Sequence, residues 1–132
     1  MNTTTKRATT YFVLLLGAGC LSAEDTGFVP LFAGKTLNGW QALPGGKWEV
    51  KDGAILGTSD KAEPRHGLLL SDKTYRDFTV RLKFRVTKGN SGFYFRSEKV
   101  DNAVGVNGFQ AEVANDPTVG GLYETGGRAW VV

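Results

Sequence analysis

The segment DFTVRLKFRVT, Asp77 to Thr87, alternates Phe78, Val80, Leu82, Phe84 and Val86 with Thr79, Arg81, Lys83, Arg85 and Thr87. A two-residue period puts the two sets on opposite sides of an extended chain, so the segment predicts a β-strand with one core face and one wet face. The Arg81, Lys83, Arg85 stripe is then the solvated side, with anionic-glycan or phosphate binding as a minor reading. Around this strand, Asn38-Gly39, Gly45-Gly46, Asp52-Gly53, Lys88-Gly89-Asn90 and Asn107-Gly108 punctuate short apolar runs as turns. Trp48-Glu49-Val50 and Ala54-Ile55-Leu56 flank Lys51-Asp52-Gly53 as a hairpin, and Leu68-Leu69-Leu70 reads as a further strand. No stretch of helical length carries an apolar 3.6-residue period between capping signals. Antiparallel strands that each bury one face need a second sheet over it, so the expected fold class is an all-β sandwich.

With 41% hydrophobic and 22% charged residues in 132, the chain reads as one globular domain rather than a disordered one. Residues 1–23 read as a secretory signal peptide: Lys6 and Arg7 precede an apolar run from Tyr11 to Ala18, followed by small residues. Two endings compete, a cut after Leu21-Ser22-Ala23 and lipid attachment at Cys20 after Leu16-Gly17-Ala18-Gly19. The first is favoured, because lipoprotein signals usually carry a large aliphatic residue where Gly17 stands. The protein is therefore expected to be exported, periplasmic or extracellular. The apolar run is too short for a bilayer, and no later run reaches about 18 residues, so no membrane span is expected.

Cys20 is the only cysteine, which rules out an intrachain disulfide; stability must come from packing, with a metal ion as an allowed aid. Removing residues 1–23 takes Lys6 and Arg7 from the 16 basic residues and none of the 13 acids, so the remainder carries about +1. The whole-chain pI of about 9.1 is thus partly a property of the leader, and nucleic acid is not an expected partner.

Chemistry gathers in the last third: GNSGFYFRSE (Gly89–Glu98), GFQAEVAND (Gly108–Asp116) and GGLYETGGR (Gly120–Arg128). In the first two, alternation sets out Tyr94 with Arg96 and Gln110 with Glu112. A phenol, a guanidinium, an amide and a carboxylate on one sheet face can hold a sugar and move a proton, so a carbohydrate site is the leading functional idea. There is no GxSxG, HExxH or P-loop, and one histidine cannot supply a multi-histidine zinc site. A glycosidase carboxylate pair would need Glu112 with Asp116 or Glu124, at a separation that sequence does not give.

GFVPLFAGKTLNGWQ (Gly27–Gln41), KWEVKDGAILGT (Lys47–Thr58), GLLLSDKTYRDFTVRLKFRV (Gly67–Val86) and the three glycine-rich segments, in this order, resemble the bacterial family of secreted 3-keto-disaccharide hydrolase domains. That resemblance implies a concanavalin/LamG-like jelly-roll β-sandwich. It also implies that residues 24–132 are the N-terminal two-thirds of such a domain, its C-terminal strands missing, since Ala129-Trp130-Val131-Val132 stops on what reads as the start or middle of a strand. The implied substrate is an oligosaccharide or glycoside whose C3 hydroxyl has become a ketone. The ketone acidifies the C2 proton, so a base removes it, the C1 substituent leaves and water adds back.

Under that resemblance Glu112 is the candidate base or metal ligand, weighed against a solvated surface glutamate. Arg96 would polarise the ketone or clamp hydroxyls, weighed against a structural ion pair, Glu112 itself being one partner considered. His66, the single histidine, would shuttle a proton or bind metal from a loop, although a lone loop histidine is more often just exposed. Tyr94 and Gln110 would bind sugar hydroxyls, and Tyr123 and Arg128 would stand on a loop at the rim. Trp40 and Trp48 read as core packing rather than sugar platforms. A divalent metal ion is an allowed cofactor, with no ligand set assigned. The competing readings are a carbohydrate-binding module that holds glycans without cleaving them, and an inactive truncated remnant.

Overall fold

In the computed structural model, which describes residues 27–132 and the backbone of residues 9–15, every regular element among the described residues is a β-strand. The hairpin is where the sequence puts it. β3 (Lys47–Lys51) and β4 (Ala54–Asp60) pair antiparallel, and Lys51 faces Ala54 across Asp52-Gly53. Both turn residues have positive φ, 51° and 74°, the two-residue geometry whose twist suits a hairpin and which glycine adopts without a Cβ penalty.

β3 and β4 belong to a four-stranded sheet of order β3-β4-β1-β6, in which β1 (Thr9–Leu15) lies antiparallel between β4 and β6 (Lys83–Val86). β1 falls inside the stretch that reads as a leader; Cys20 and the proposed cut after Ala23 lie outside the described residues. A second four-stranded sheet has the order β10-β9-β8-β7, from β7 (Ser91–Lys99), β8 (Val106–Val113), β9 (Leu122–Thr125) and β10 (Ala129–Trp130). β2 (Trp40–Ala42) and β5 (Leu69–Ser71) form a short ribbon, so the Leu68–Leu70 strand begins one residue later than its apolar run. The fold is an all-β, jelly-roll-like β-sandwich.

The core draws on both large sheets, from Ala54 and Ile55 of β4 and from Val106 and Val113 of β8, with Phe32, Leu43 and Ala114 added from loops. Leu43 packs where Gly105 leaves room, tying the loop after β2 to the turn before β8. Trp48 donates its indole N–H to the Gly67 carbonyl at 2.7 Å and Trp40 donates to the Leu31 carbonyl at 3.3 Å, so both are half-buried struts.

The segment Asp77–Thr87 departs from its expectation. Only Lys83–Val86 is a strand, beginning at the pair Leu15↔Lys83. Phe78 and Phe84, assigned to the core face by their period, are 45% and 39% exposed. Alternation specifies which residues share a face; burial also needs something packed on that face, and among the described residues the Phe78 ring meets the edge of Tyr75 at 6.2 Å between ring centres.

Candidate active site

β7, β8 and β9 are in register such that Tyr94, Gln110 and Tyr123 form one row across the sheet, and Gly92 and Glu112 form the next. Paired residues share a face, so Tyr94, Gln110, Glu112, Tyr123 and Thr125 all stand on one side, and Phe93, Phe95, Phe109, Ala111 and Leu122 on the other. The polar and apolar faces of β8 follow directly from the order Phe109-Gln110-Ala111-Glu112-Val113.

Glu112 is the buried charged residue of the described chain, 4% exposed, and each of its carboxylate oxygens accepts one hydrogen bond. Asn90 Nδ2 donates to Oε1 at 2.7 Å, and the Gln110 side-chain amide donates to Oε2 from two residues along the same strand. Asn90 stands on the diagonal from Glu112, because Ser91 pairs with Val113 and Gly92 with Glu112. A buried carboxylate demands such donors, since an unpaired one costs far more than its hydrogen bonds return. Gly92 makes the Gln110 arrangement possible: a Cβ there would lie 2.2 Å from Gln110 Cγ.

Tyr94 reaches from β7 across β8 to β9, its hydroxyl 3.0 Å from Thr125 Oγ1, past Gly108, the residue that faces Thr125. Burial lifts the Tyr94 phenol above its usual range; the Thr125 hydrogen bond opposes this, and the charge of Glu112 adds to it. Tyr94 is thus a neutral phenol beside a carboxylate.

His66 is exposed in the loop before β5, its backbone N–H bonded to the Ala103 carbonyl at 2.9 Å. It lines a small cleft of about 70 Å³ together with Trp48, Ser59, Asn90 and Ser91. Asn90 therefore touches both the cleft and Glu112, although Glu112 itself does not line the cleft. Nothing in the single-residue pattern marks Asn90, which reads simply as a turn residue after Gly89.

Arg128 lies on the other face of the sheet, and Arg96 sits in an irregular part of β7. β7 carries a bulge between Phe95 and Glu98, with Arg96 at φ 48°, so two residues oppose Gly108 and the alternation from Tyr94 is broken. Ser97 Oγ and the Arg96 carbonyl lie against Gly108, and Arg96 is exposed. Arg96 is not among the donors to Glu112. Arg128 pairs with Glu124 at 2.5 Å and lies over the Phe109 ring, 5.9 Å from its centre, which is the opposite face from Glu112. The Arg128 guanidinium holds the Glu124 carboxyl below its ordinary range. Tyr123, expected on a loop, is in β9 and faces the Glu112 side.

Among the described residues, no three His, Cys, Asp or Glu side chains gather as a metal-binding set. No helix among the described residues is long and apolar enough to cross a membrane.

Residues 27–130 match the 3-keto-alpha-glucoside-1,2-lyase-like domain, and the chain belongs to that family. It is also similar to a 3-keto-disaccharide hydrolase of Bacteroides thetaiotaomicron, 29% identical over 90 residues, covering 61% of this chain and 31% of that protein. The chain thus matches about a third of the length of that curated relative. No solved structure matches.

Proposed function

We propose that this chain acts on 3-keto-glycosides, with Glu112 as the base that removes the C2 proton. The observation that carries the reading is Glu112 itself, a carboxylate buried at the centre of a polar sheet face and oriented by two amides, in a chain of this family. A carboxylate has about four lone-pair directions, and two donors leave others to accept a proton.

In this reading the C2–H bond breaks, its proton goes to Glu112 and its electron pair is delocalised onto the C3 ketone oxygen. The pair then forms the C1=C2 bond as the C1–O bond breaks, and the leaving oxygen takes a proton. Addition of water across that double bond, hydroxyl to C1 and proton to C2, completes a net hydrolysis. His66, at the cleft beside Asn90, is the side chain suited to carry the leaving-group proton, and Tyr94 and Gln110 offer hydroxyl-binding groups. The leader-like residues 1–23 support an exported protein, periplasmic or extracellular, without a lipid at Cys20.

The low exposure of Glu112 and its two amide partners favour a second reading, in which the face binds a glycan and does not cleave it. Incubating the chain with a 3-keto-disaccharide separates the two. Turnover that falls by a factor of about 10² or more in Glu112→Gln, with substrate binding retained, supports the base role; an equally active variant removes Glu112 from it. Saturable binding with no turnover in the parent chain leaves the binding module standing.

A further inference from the structure

His66 stands on a segment that the chain clasps from three directions. Its own N–H is donated to the Ala103 carbonyl at 2.9 Å, the Gly67 carbonyl accepts the Trp48 indole N–H at 2.7 Å, and the Leu68 carbonyl accepts the Leu43 N–H at 2.7 Å. Three consecutive residues are thus tied to the β7–β8 connection, to β3 and to the segment after β2. Glycine lets the backbones come this close: a Cβ on Gly67, which holds φ 66°, would run into the Gly46 nitrogen, and one on Gly46 would lie 2.6 Å from the Gly67 carbonyl oxygen. The Trp48 ring lies over Gly57, its partner on β4, where a Cβ would come within 2.6 Å of Cζ3. From that seat the indole reaches the carbonyl next to His66, and both side chains line the cleft of about 70 Å³. The Trp48 tie is made by a side chain, so a substitution can remove it while the two backbone ties remain.

We infer that Trp48 is a positioning residue for His66: by holding the Gly67 carbonyl, its indole N–H fixes the imidazole at the cleft for proton delivery to the leaving oxygen. This rests on the 3-keto-glycoside reading above and deepens it. The imidazole passes a proton to that oxygen as the C1–O bond breaks and regains one from the water whose hydroxyl adds at C1, while Glu112 returns its own to C2. Such a donor acts only within hydrogen-bond reach, and on an exposed loop its place must be set by the backbone beneath it.

The test uses two substrates that differ in how far the leaving oxygen needs a proton. A 3-keto-disaccharide releases a sugar hydroxyl, a weak acid; the 4-nitrophenyl 3-keto-glycoside releases a phenolate that departs unaided. Trp48→Phe keeps a ring over Gly57 and lacks the N–H. It should lower kcat about tenfold on the disaccharide with little change in KM, and less than about twofold on the aryl glycoside. His66→Gln should show the same selectivity with a larger loss, and the double variant should lose no more than His66→Gln alone, because Trp48 acts through His66. Gly46→Ala, which keeps the tryptophan and pushes the Gly67 carbonyl away, should repeat the Trp48→Phe pattern, and it carries the test if Trp48→Phe does not fold. Equal losses on both substrates, additive losses in the double variant, or no loss overturn the positioning role and leave the hydrolase reading intact. Should the parent chain turn over neither substrate, the hydrolase reading fails, and amide hydrogen exchange decides the clasp: exchange of the His66 N–H about tenfold faster in Trp48→Phe supports it, and an unchanged rate overturns it.

Discussion

Asn90 donates its side-chain amide to Glu112 at 2.7 Å from a loop 22 residues upstream, closing the polar face at the end where β7 begins. Removing that donor leaves one oxygen of a buried carboxylate unpaired. Asn90→Ala is therefore expected to cost about 1–3 kcal/mol of stability, read as a lower urea midpoint with unchanged slope. Turnover of a 3-keto-disaccharide should fall as well, because the carboxylate loses its orientation. An unshifted midpoint would mean that water replaces the amide without loss.

Gly92→Ala tests the other donor. The new Cβ would collide with Gln110 at a position where the backbone of β7 is fixed by its pairs with β8. We expect a loss of about 1–3 kcal/mol from overpacking. If the damage is the displaced amide, the same substitution in a Gln110→Ala background should cost clearly less, so a double-mutant cycle in denaturant gives the answer. Additive costs would place the strain elsewhere.

The raised Tyr94 phenol makes an alkaline prediction. In the unfolded chain a tyrosine ionises near pH ~10, while the folded chain keeps this proton to higher pH. Between those values the unfolded state binds fewer protons, so stability falls as pH rises. The contribution is fully present below about pH 10 and is lost as pH climbs through the folded-state value. Tyr94→Phe has no proton to lose there, and its stability should decline less steeply over the same range in urea titrations. Parallel profiles for the two chains would contradict a shielded phenol.

The β3–β4 turn gives a stability marker remote from the polar face. Gly53 holds φ 74°, and Gly53→Ala should cost about 1–2 kcal/mol through the left-handed conformation alone. Differential scanning calorimetry should show a lower midpoint with catalytic constants unchanged for whatever fraction remains folded. A matching loss of kcat would tie the hairpin to the site.

What was legible in the sequence is what a period of two can carry. The Trp48–Leu56 hairpin, the strands of GFYFRSE and GFQAEV, and the shared face of Tyr94, Gln110 and Glu112 all follow from alternation and turn chemistry. Three things were not legible, each because pairing rather than pattern decides it. The bulge after Phe95 adds a residue that no composition rule announces, and it takes Arg96 out of the Tyr94 series. The reach of Asn90 depends on its diagonal to Glu112, known only once Ser91 meets Val113. Arg128 went to the far face because Glu124 pairs with Phe109 and draws the guanidinium over that ring. Within the apolar set of that segment Val80, Leu82 and Val86 are half-buried while Phe78 and Phe84 stay exposed, so alternation groups the face without deciding how far each member is covered.

The irregularity in β7 also makes the chemistry of this surface sensitive to a change of one codon. Deleting Ser97 would straighten the strand and set residue 96 alone opposite Gly108, fixing its guanidinium on the side on which Tyr94 stands. A surface carrying a single anion would then carry an anion and a cation, with every other residue retained. Two proteins sharing this architecture can thus differ in their electrostatic character through strand length alone, a difference that comparing side chains position by position would miss.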